Sequence, residues 1–370
     1  MRILVTGGAG FIGSHLVDAL VRDGHTVRVL DNFDPQVHGG RRPEYLNAKA
    51  EYLEGDVRNR DILRRALKGV DTVFHFAAAV GVGQSMYQIE NYVSANVLGT
   101  AILLDVLVND GIKLKRLVVA SSMSIYGEGQ YRCAQCGPVF PAVRPIEQLQ
   151  RKQWEARCPT CGAATSAQPT NEEKPLMPTS VYAVSKRDQE ELCLTVGRSY
   201  GIPTVALRFF NVYGPRQALS NPYTGVCAIF SARIKHRKPP ILFEDGLQTR
   251  DFVNVRDIIQ ANLLVMTHPK APFQSLNVGT GHPTGILDIT HTLSRLYGVA
   301  VEPDVTHKYR AGDIRHCYAD ITRLRSLGFQ PSVNLEEGLR ELVAWGKQAS
   351  AEDRVEEAAR ELETRGLTQG

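Results

Sequence analysis

The stretch Gly7-Gly8-Ala9-Gly10-Phe11-Ile12-Gly13 (GGAGFIG) decides how this chain is read. Gly7, Gly10 and Gly13 stand in the spacing G-x-x-G-x-x-G. They follow Arg2 to Thr6, an apolar, β-branched run, and precede Phe11 to Arg22, where apolar residues recur at helical spacing. Such a run predicts a buried strand, and the pattern after it a helix. Glycine at that junction lets the backbone approach a pyrophosphate, and the helix N-terminus offers free N–H groups and partial positive charge. Thr26 to Leu30 predicts a second strand ending at Asp31, 18 residues after Gly13. A carboxylate there accepts both hydroxyls of an adenosine ribose and repels a 2′-phosphate. That favours NAD over NADP.

The same alternation continues. Val70 to Phe76, Leu117 to Ser121 and Val205 to Phe209 are further buried-strand runs, with helical stretches between them at Asn59 to Leu67, Asn91 to Val108 and Tyr182 to Tyr200. Strands alternating with helices predict an α/β fold, a doubly wound parallel sheet. The expected organisation is a nucleotide-binding Rossmann domain over 1–128, continued by 172–214 and about 251–268, with an insertion at 129–171. A smaller α+β substrate lobe covers 215–345. Residues 346–370, dense in Glu and Arg, predict a surface helix or frayed tail. No internal repeat is visible.

Composition sets the class. The chain has 370 residues, 43% hydrophobic and 22% charged, with 43 basic against 39 acidic residues and a net charge of +4. That balance is too mild to argue for nucleic acid, and the basic run Arg233 to Lys238 reads as a solvated surface. No stretch reads as a membrane span and the N-terminus has no signal-peptide pattern, so the expected location is the cytoplasm.

Tyr182 and Lys186 form Y-x-x-x-K at the start of a helix, on one face. An ammonium beside a phenol lowers the phenol's pKa, as does an oxidised nicotinamide, and a Tyr near neutral pKa acts as a base on a sugar hydroxyl. Ser121 and Ser122 end a strand, where a hydroxyl reaches the same substrate oxygen.

With TGGAGFIG, GDVRN (55–59), HFAAAV (75–80), NVLGT (96–100), SSMSIYG (121–127), YAVSK (182–186), RFFNVYGPR (208–216) and RDFVNVRD (250–257), the chain resembles the extended short-chain dehydrogenase/reductases, specifically the nucleotide-sugar epimerases and dehydratases. The resemblance implies catalytic roles for Ser122, Tyr182 and Lys186. It implies cofactor contacts at Gly7, Gly10, Phe11, Ile12, Gly13, Asp31, Asn32, Asp56, Val57, Ala77, Ala79, Asn96, Tyr182 and Lys186. It implies substrate contacts at Ser85, Ser124, Asn211, Arg250, Arg310 and Asp313, with Asn211 and Arg250 on the nucleotide diphosphate. It also implies a homodimer, built by pairing the Y-x-x-x-K helix with Asn91 to Val108.

Dehydratases of the family carry an acid after the catalytic Ser. Here Met123 and Ser124 stand there, and neither supplies a general acid. What remains is oxidation and re-reduction at C4, an epimerisation. Cys317 falls where some epimerases have a bulky aromatic limiting the hexose pocket, and Arg315 where they lack charge. A wider pocket with an added phosphate or carboxylate contact is one reading of the two, and a core cysteine with a surface arginine is the other. Alternatives are a keto-sugar reductase or dehydratase of the same family.

Cys133, Cys136, Cys158 and Cys161 follow C-x2-C-x21-C-x2-C, and each pair is followed by Gly. Two such knuckles predict a four-cysteine structural zinc site without an open coordination position. Ser122 and Tyr182 are 60 residues apart, more than the family's usual separation, so the ribbon is an insertion. Epimerases with such an insertion resemble those acting on dTDP-L-rhamnose at C4; a UDP-hexose or UDP-hexuronate is the other expected substrate. With Arg132, Arg144, Arg151, Lys152 and Arg157 against Glu147 and Glu155, the ribbon also raises a nucleic-acid or partner-binding scaffold as an alternative.

Overall fold

A computed structural model describes residues 1–310, 312–349 and 351–370. Seven parallel strands form the central sheet: β1 (Arg2–Thr6), β2 (Thr26–Asp31), β3 (Glu51–Glu54), β4 (Thr72–His75), β5 (Arg116–Ser122), β6 (Thr204–Phe209) and β7 (Gln274–Val278), in the order β7-β6-β5-β4-β1-β2-β3. The order reverses between β1 and β4, so a crevice opens beyond the carboxyl ends of the strands at that point. The central strands carry apolar side chains on both faces. One core forms around Ile3, Val5, Leu16 and Phe74, the other around Leu4, Leu63, Leu103 and Val119.

Three helices matter for the site. Helix α1 (Phe11–Arg22) follows the glycine loop. Helix α2 (Ile89–Asn109) contains a π-helical segment, Val93–Leu98. Helix α3 (Val181–Tyr200) starts at Ser180, whose side chain caps the Ala183 N–H, and stops at Gly201 in the left-handed conformation. By length and composition alone α2 would cross a membrane, a stretch the sequence reading passed over. Its Leu103, Leu104, Val106 and Leu107 are buried in the core.

The second half supplies a lobe around its own core of Phe230, Ile289, Leu293, Leu339 and Leu342. The segment 129–171, expected as an insertion, holds a three-stranded antiparallel sheet, Gly137–Val139, Gln130–Cys133 and Thr165–Gln168. Two strands of the central sheet were not expected from sequence. β3 has Glu at both ends and lies at the sheet edge, and β7 follows a stretch rich in turns.

Of the two expectations for the C-terminal segment, residues 351–370 meet the helix and not the frayed tail. Helix α4 (Val355–Thr364) packs against the body, and Thr368–Gln369 pairs with Tyr309–Arg310. The run Arg233 to Lys238 is likewise not simply solvated. Arg233 is buried, 3.3 Å from Asp353, and Lys238 lies 3.1 Å from the same carboxylate.

A buried ion pair ties the layers together. The Arg208 guanidinium on β6 reaches Glu190 of α3 at 2.6 Å, both side chains nearly inaccessible. Glu190 also accepts from Ser121 and Ser275, and Arg208 donates to the Tyr126 hydroxyl. With its hydrogen bonds satisfied, such a pair is costly to break from one side, about 3–5 kcal/mol.

Candidate active site

A cleft of about 750 Å³ runs along the carboxyl ends of the strands. Its first section is built by the glycine loop. A Cβ on Gly13 would lie 2.3 Å from the Gly7 carbonyl, and one on Gly7, at φ +70°, would lie 2.8 Å from Ala77 N. These two glycines let the loop close on itself. Gly10 differs: a Cβ there would meet nothing nearer than the Gly7 carbonyl at 3.4 Å, so that position faces open cleft. No side chain caps the N-terminus of α1, and its first amides stay available to an anion.

Asp31 ends β2 in the same wall. Its carboxylate accepts from Ala9 N and Phe33 N, both at 2.9 Å, and lies 3.6 Å from His38 Nε2. His38 Nδ1 has no hydrogen-bond partner. Asn32, Asp56, Val57, Ala77 and Ala79 line the cleft with Phe11 and Ile12. An uncapped helix start, an open Gly10, a carboxylate at the end of β2 and an unpaired nitrogen beside it suit a dinucleotide.

Ser122, Ser124, Tyr182 and Lys186 lie together at the floor. Ser122 accepts from Ser124 N at 3.2 Å and Ser124 Oγ at 2.9 Å, which leaves its own O–H to donate. Burial raises the Tyr182 phenol above its ordinary value, and a hydrogen bond from Ser122 pulls it partly back. Lys186 is buried beside them. Its ammonium donates to Gln189, and burial pushes it down to about 8.

At the far end are Asn211, Arg250, Arg310 and Asp313. Asn211 Oδ1 has no partner. Arg250 gives three N–H groups to the carbonyls of Thr249, Ile314 and Arg315, at 2.7–2.9 Å. Its Nε–H and one Nη2–H remain, the edge that binds a phosphate in bidentate fashion. Arg310 stacks 4.5 Å from the Phe243 ring and pairs with Asp313 at 2.8 Å.

Four expected contacts lie outside the cleft. Ser85 is fully buried: its hydroxyl donates to the Val82 carbonyl and accepts from Tyr182 N, so it positions the start of α3. Asn96, in the π-helical turn, accepts from Ala79 N at 2.7 Å and donates to the Ala79 carbonyl and Ser185, so it holds the cofactor-side loop. Arg315 turns away and is saturated by Glu155, Glu244 and Asp245. Cys317 is buried beside Thr170. Cys317 is thus a core cysteine, the plainer of its two readings, whereas Arg315 fits neither of its readings: it is not at the surface but buried, 1% exposed, in ion pairs.

Sequence reading also missed part of the wall. Val355, Ala358, Ala359 and Leu362 of α4 line the cleft, with Leu362 next to Gly83. Glu361 fixes α4 across the opening, accepting from Tyr87 at 2.8 Å and Tyr223 at 2.9 Å. The signal was present: these residues fall at i, i+3, i+4 and i+7 within an otherwise charged segment.

The model of the NAD dependent epimerase/dehydratase family matches residues 3–145 and 158–279. The chain belongs to that family. It is 36% identical over 348 residues to a dTDP-L-rhamnose 4-epimerase of Burkholderia thailandensis, covering 93% of this chain and 94% of that one. It is 34% identical to a putative UDP-glucose 4-epimerase of Methanocaldococcus jannaschii, at 93% and 98% coverage. A Bacillus cereus UDP-glucuronic acid 4-epimerase, solved with UDP-glucuronic acid and NAD, superposes with a TM-score of 0.77 at 28% identity, covering 94% of this chain and 99% of that one.

Gly10 separates folding from binding. Gly10→Val should leave the thermal transition nearly unchanged, because the added atoms enter open cleft. It should weaken NAD binding at least tenfold in calorimetry. A variant that binds NAD as the parent does would place the cofactor elsewhere.

Proposed function

We propose that the chain is an NAD-dependent nucleotide-sugar 4-epimerase. The observation carrying this reading is Ser122 and Tyr182 side by side with no free acid near them. The carboxylates lining the cleft, among the described residues, are Asp31, Asp34, Asp56 and Asp313. Asp31 and Asp34 are tied to backbone amides, Asp56 to Arg58 and Asp313 to Arg310. A 4,6-elimination needs a general acid at C6, and Met123 and Ser124 supply none.

Each residue then has a task. Asn211, the free edge of Arg250 and Arg310 hold the diphosphate. Ser122 donates to the C4 oxygen, and Tyr182 takes the C4 hydroxyl proton and later returns it. Lys186 and Asp31 orient ribose hydroxyls of the cofactor. NAD bound along the glycine loop supplies the chemistry of accepting a hydride and giving it back. The planar keto sugar turns about its diphosphate link between the two transfers, so the opposite face is reduced.

The cations favour an uncharged sugar. Arg58 and Arg216 in the cleft wall are paired with Asp56 and Asp18, Arg250 and Arg310 sit at the nucleotide end, and Lys186 donates to Gln189. Among the described residues none of these is free beside Tyr182 for a hexuronate carboxylate. A dTDP-6-deoxyhexose such as dTDP-L-rhamnose, or a neutral UDP-hexose, suits this wall better.

Two further assignments belong to the same reading. The four cysteine sulfurs lie within 4.8 Å of one another, Cys133 and Cys161 at 3.6 Å. A tetrahedral zinc with Zn–S near 2.3 Å would set sulfurs about 3.8 Å apart. Gly137 and Gly162 follow each pair at φ +77° and +72°, the turn that two knuckles require. The donor set suits structural zinc. The nucleic-acid reading loses ground, because Arg144, one of the five ribbon cations, is buried in an ion pair. As for assembly, Ile89, Val93 and Leu98 of α2 and Val184 of α3 are exposed on the two helices expected to pair, and such an apolar face suits a second copy of the chain.

Three outcomes test this. Incubated separately with dTDP-L-rhamnose, UDP-glucose, UDP-N-acetylglucosamine and UDP-glucuronate, the protein should build up a C4 epimer from a neutral sugar, read by NMR, and Tyr182→Phe should slow turnover about 10²–10⁴-fold. A 4-keto-6-deoxy product would overturn the reading. Elemental analysis should find one zinc per chain, lost in Cys136→Ser; a full-strength ribbon without metal would argue for reduced thiols alone. Sedimentation should give a dimer for the parent chain and a monomer for Leu98→Arg, and a monomeric parent would remove the assembly.

A further inference from the structure

The ribbon is joined to the nucleotide end of the cleft through buried charge. Arg144 lies in the insertion, yet its guanidinium makes a bidentate pair with Glu244 at 2.8 and 2.9 Å, both side chains 2% exposed. The same Arg144 donates to the Asp313 carbonyl at 2.9 Å. Glu155, also in the insertion, accepts from Arg315 Nε and Nη2 at 2.9 and 2.7 Å and contacts His316 at 3.1 Å. His316 and Arg315 hold the Glu155 carboxyl down at about 2, so it is charged in all ordinary buffers. Trp154 packs against Tyr309. Glu128, just before the insertion, accepts from Arg315 N and His316 N.

The segment from Asp313 to His316 is thus gripped on two sides. From the ribbon side come Arg144 and Glu155. From the cleft side comes Arg250, whose guanidinium is aimed by the carbonyls of Ile314 and Arg315. Moving those carbonyls turns the Nε/Nη2 edge that faces the ligand. The ribbon itself contributes no residue from Cys133 to Cys161 to the cleft wall among the described residues. It reaches the ligand through the loop.

We propose that the ribbon is a positioning element for the diphosphate clamp: Arg144 and Glu155 fix the loop 313–316 and thereby aim Arg250 at the nucleoside diphosphate. This rests on the substrate reading above, in which Arg250 binds diphosphate. A bidentate contact depends on the angle of the guanidinium plane, so a loop freed on its ribbon side loses affinity without losing its charge.

The test uses the full chain and two probes, UDP and dTDP, in calorimetry, with NAD as the control ligand. Glu155 is 59% exposed, so Glu155→Gln removes the charge that pairs with Arg315 and the oxygen that meets His316 without emptying the interior. Arg144→Lys keeps charge and removes the bidentate plane. Both variants should raise the nucleoside diphosphate Kd about tenfold while NAD binds as in the parent, and in turnover KM should rise with kcat held. Arg250→Ala is the reference. Loss of affinity in Arg250→Ala with none in the ribbon variants would overturn the proposal and leave the substrate reading standing. No loss in Arg250→Ala would overturn both. A parallel loss of NAD affinity in the ribbon variants would show that the ribbon only holds the fold together, and would also overturn it.

Discussion

Glu190 sets the geometry on which this site depends. It lies on the same face of α3 as Tyr182 and Lys186, at i, i+4 and i+8. Its carboxylate is fixed by Arg208 of β6, by Ser121 of β5 and by Ser275 of β7. Ser122 is the next residue on β5. One buried carboxylate therefore sets how far along α3 the phenol of Tyr182 stands from the hydroxyl of Ser122. A charge so deep in the core is costly to desolvate, and the cost is offset only because every partner is present. Two turns from Tyr182, the Glu190 charge also reaches the Lys186 ammonium, which it raises against the effect of burial.

The parts legible in the sequence are those set by local pattern. The glycine loop and the strand–helix alternation follow from backbone sterics and periodicity, and the structure places them within a residue or two of the reading. The sheet edge was less legible, because β3 is half exposed and its Glu residues need no apolar partner. Ser85, Asn96, Arg315 and Cys317 show a different limit. Motif position put each of them near the site. Which way a side chain turns depends on partners far off in sequence: Tyr182 for Ser85, Ala79 for Asn96, Glu155 and Asp245 for Arg315. Polar residues that hold a site look, in one dimension, like residues that touch its ligand.

Helix α4 illustrates the converse. A segment rich in Glu and Arg reads as solvated tail, since the charged residues dominate its average. Its four apolar residues form a single stripe, and that stripe is what the fold uses. The charges fix it at the rim: Asp353 to Arg233 and Lys238, Glu361 to two tyrosine hydroxyls. Average polarity says little about a helix whose apolar face is one residue wide.

The insertion faces the same energetic problem on a larger scale. Its own core is small, with Tyr131, Val139 and Ala156 around two of the cysteines. A ribbon of that size gains little from apolar burial. Yet it spends buried charge on its contact with the body, where a plain apolar patch would hold it as well or better. Apolar contacts tolerate sliding, whereas a bidentate arginine does not. Arg144 and Glu155 therefore supply angular definition to the loop behind Arg250, and that definition is what a clamp for a planar, forked contact requires.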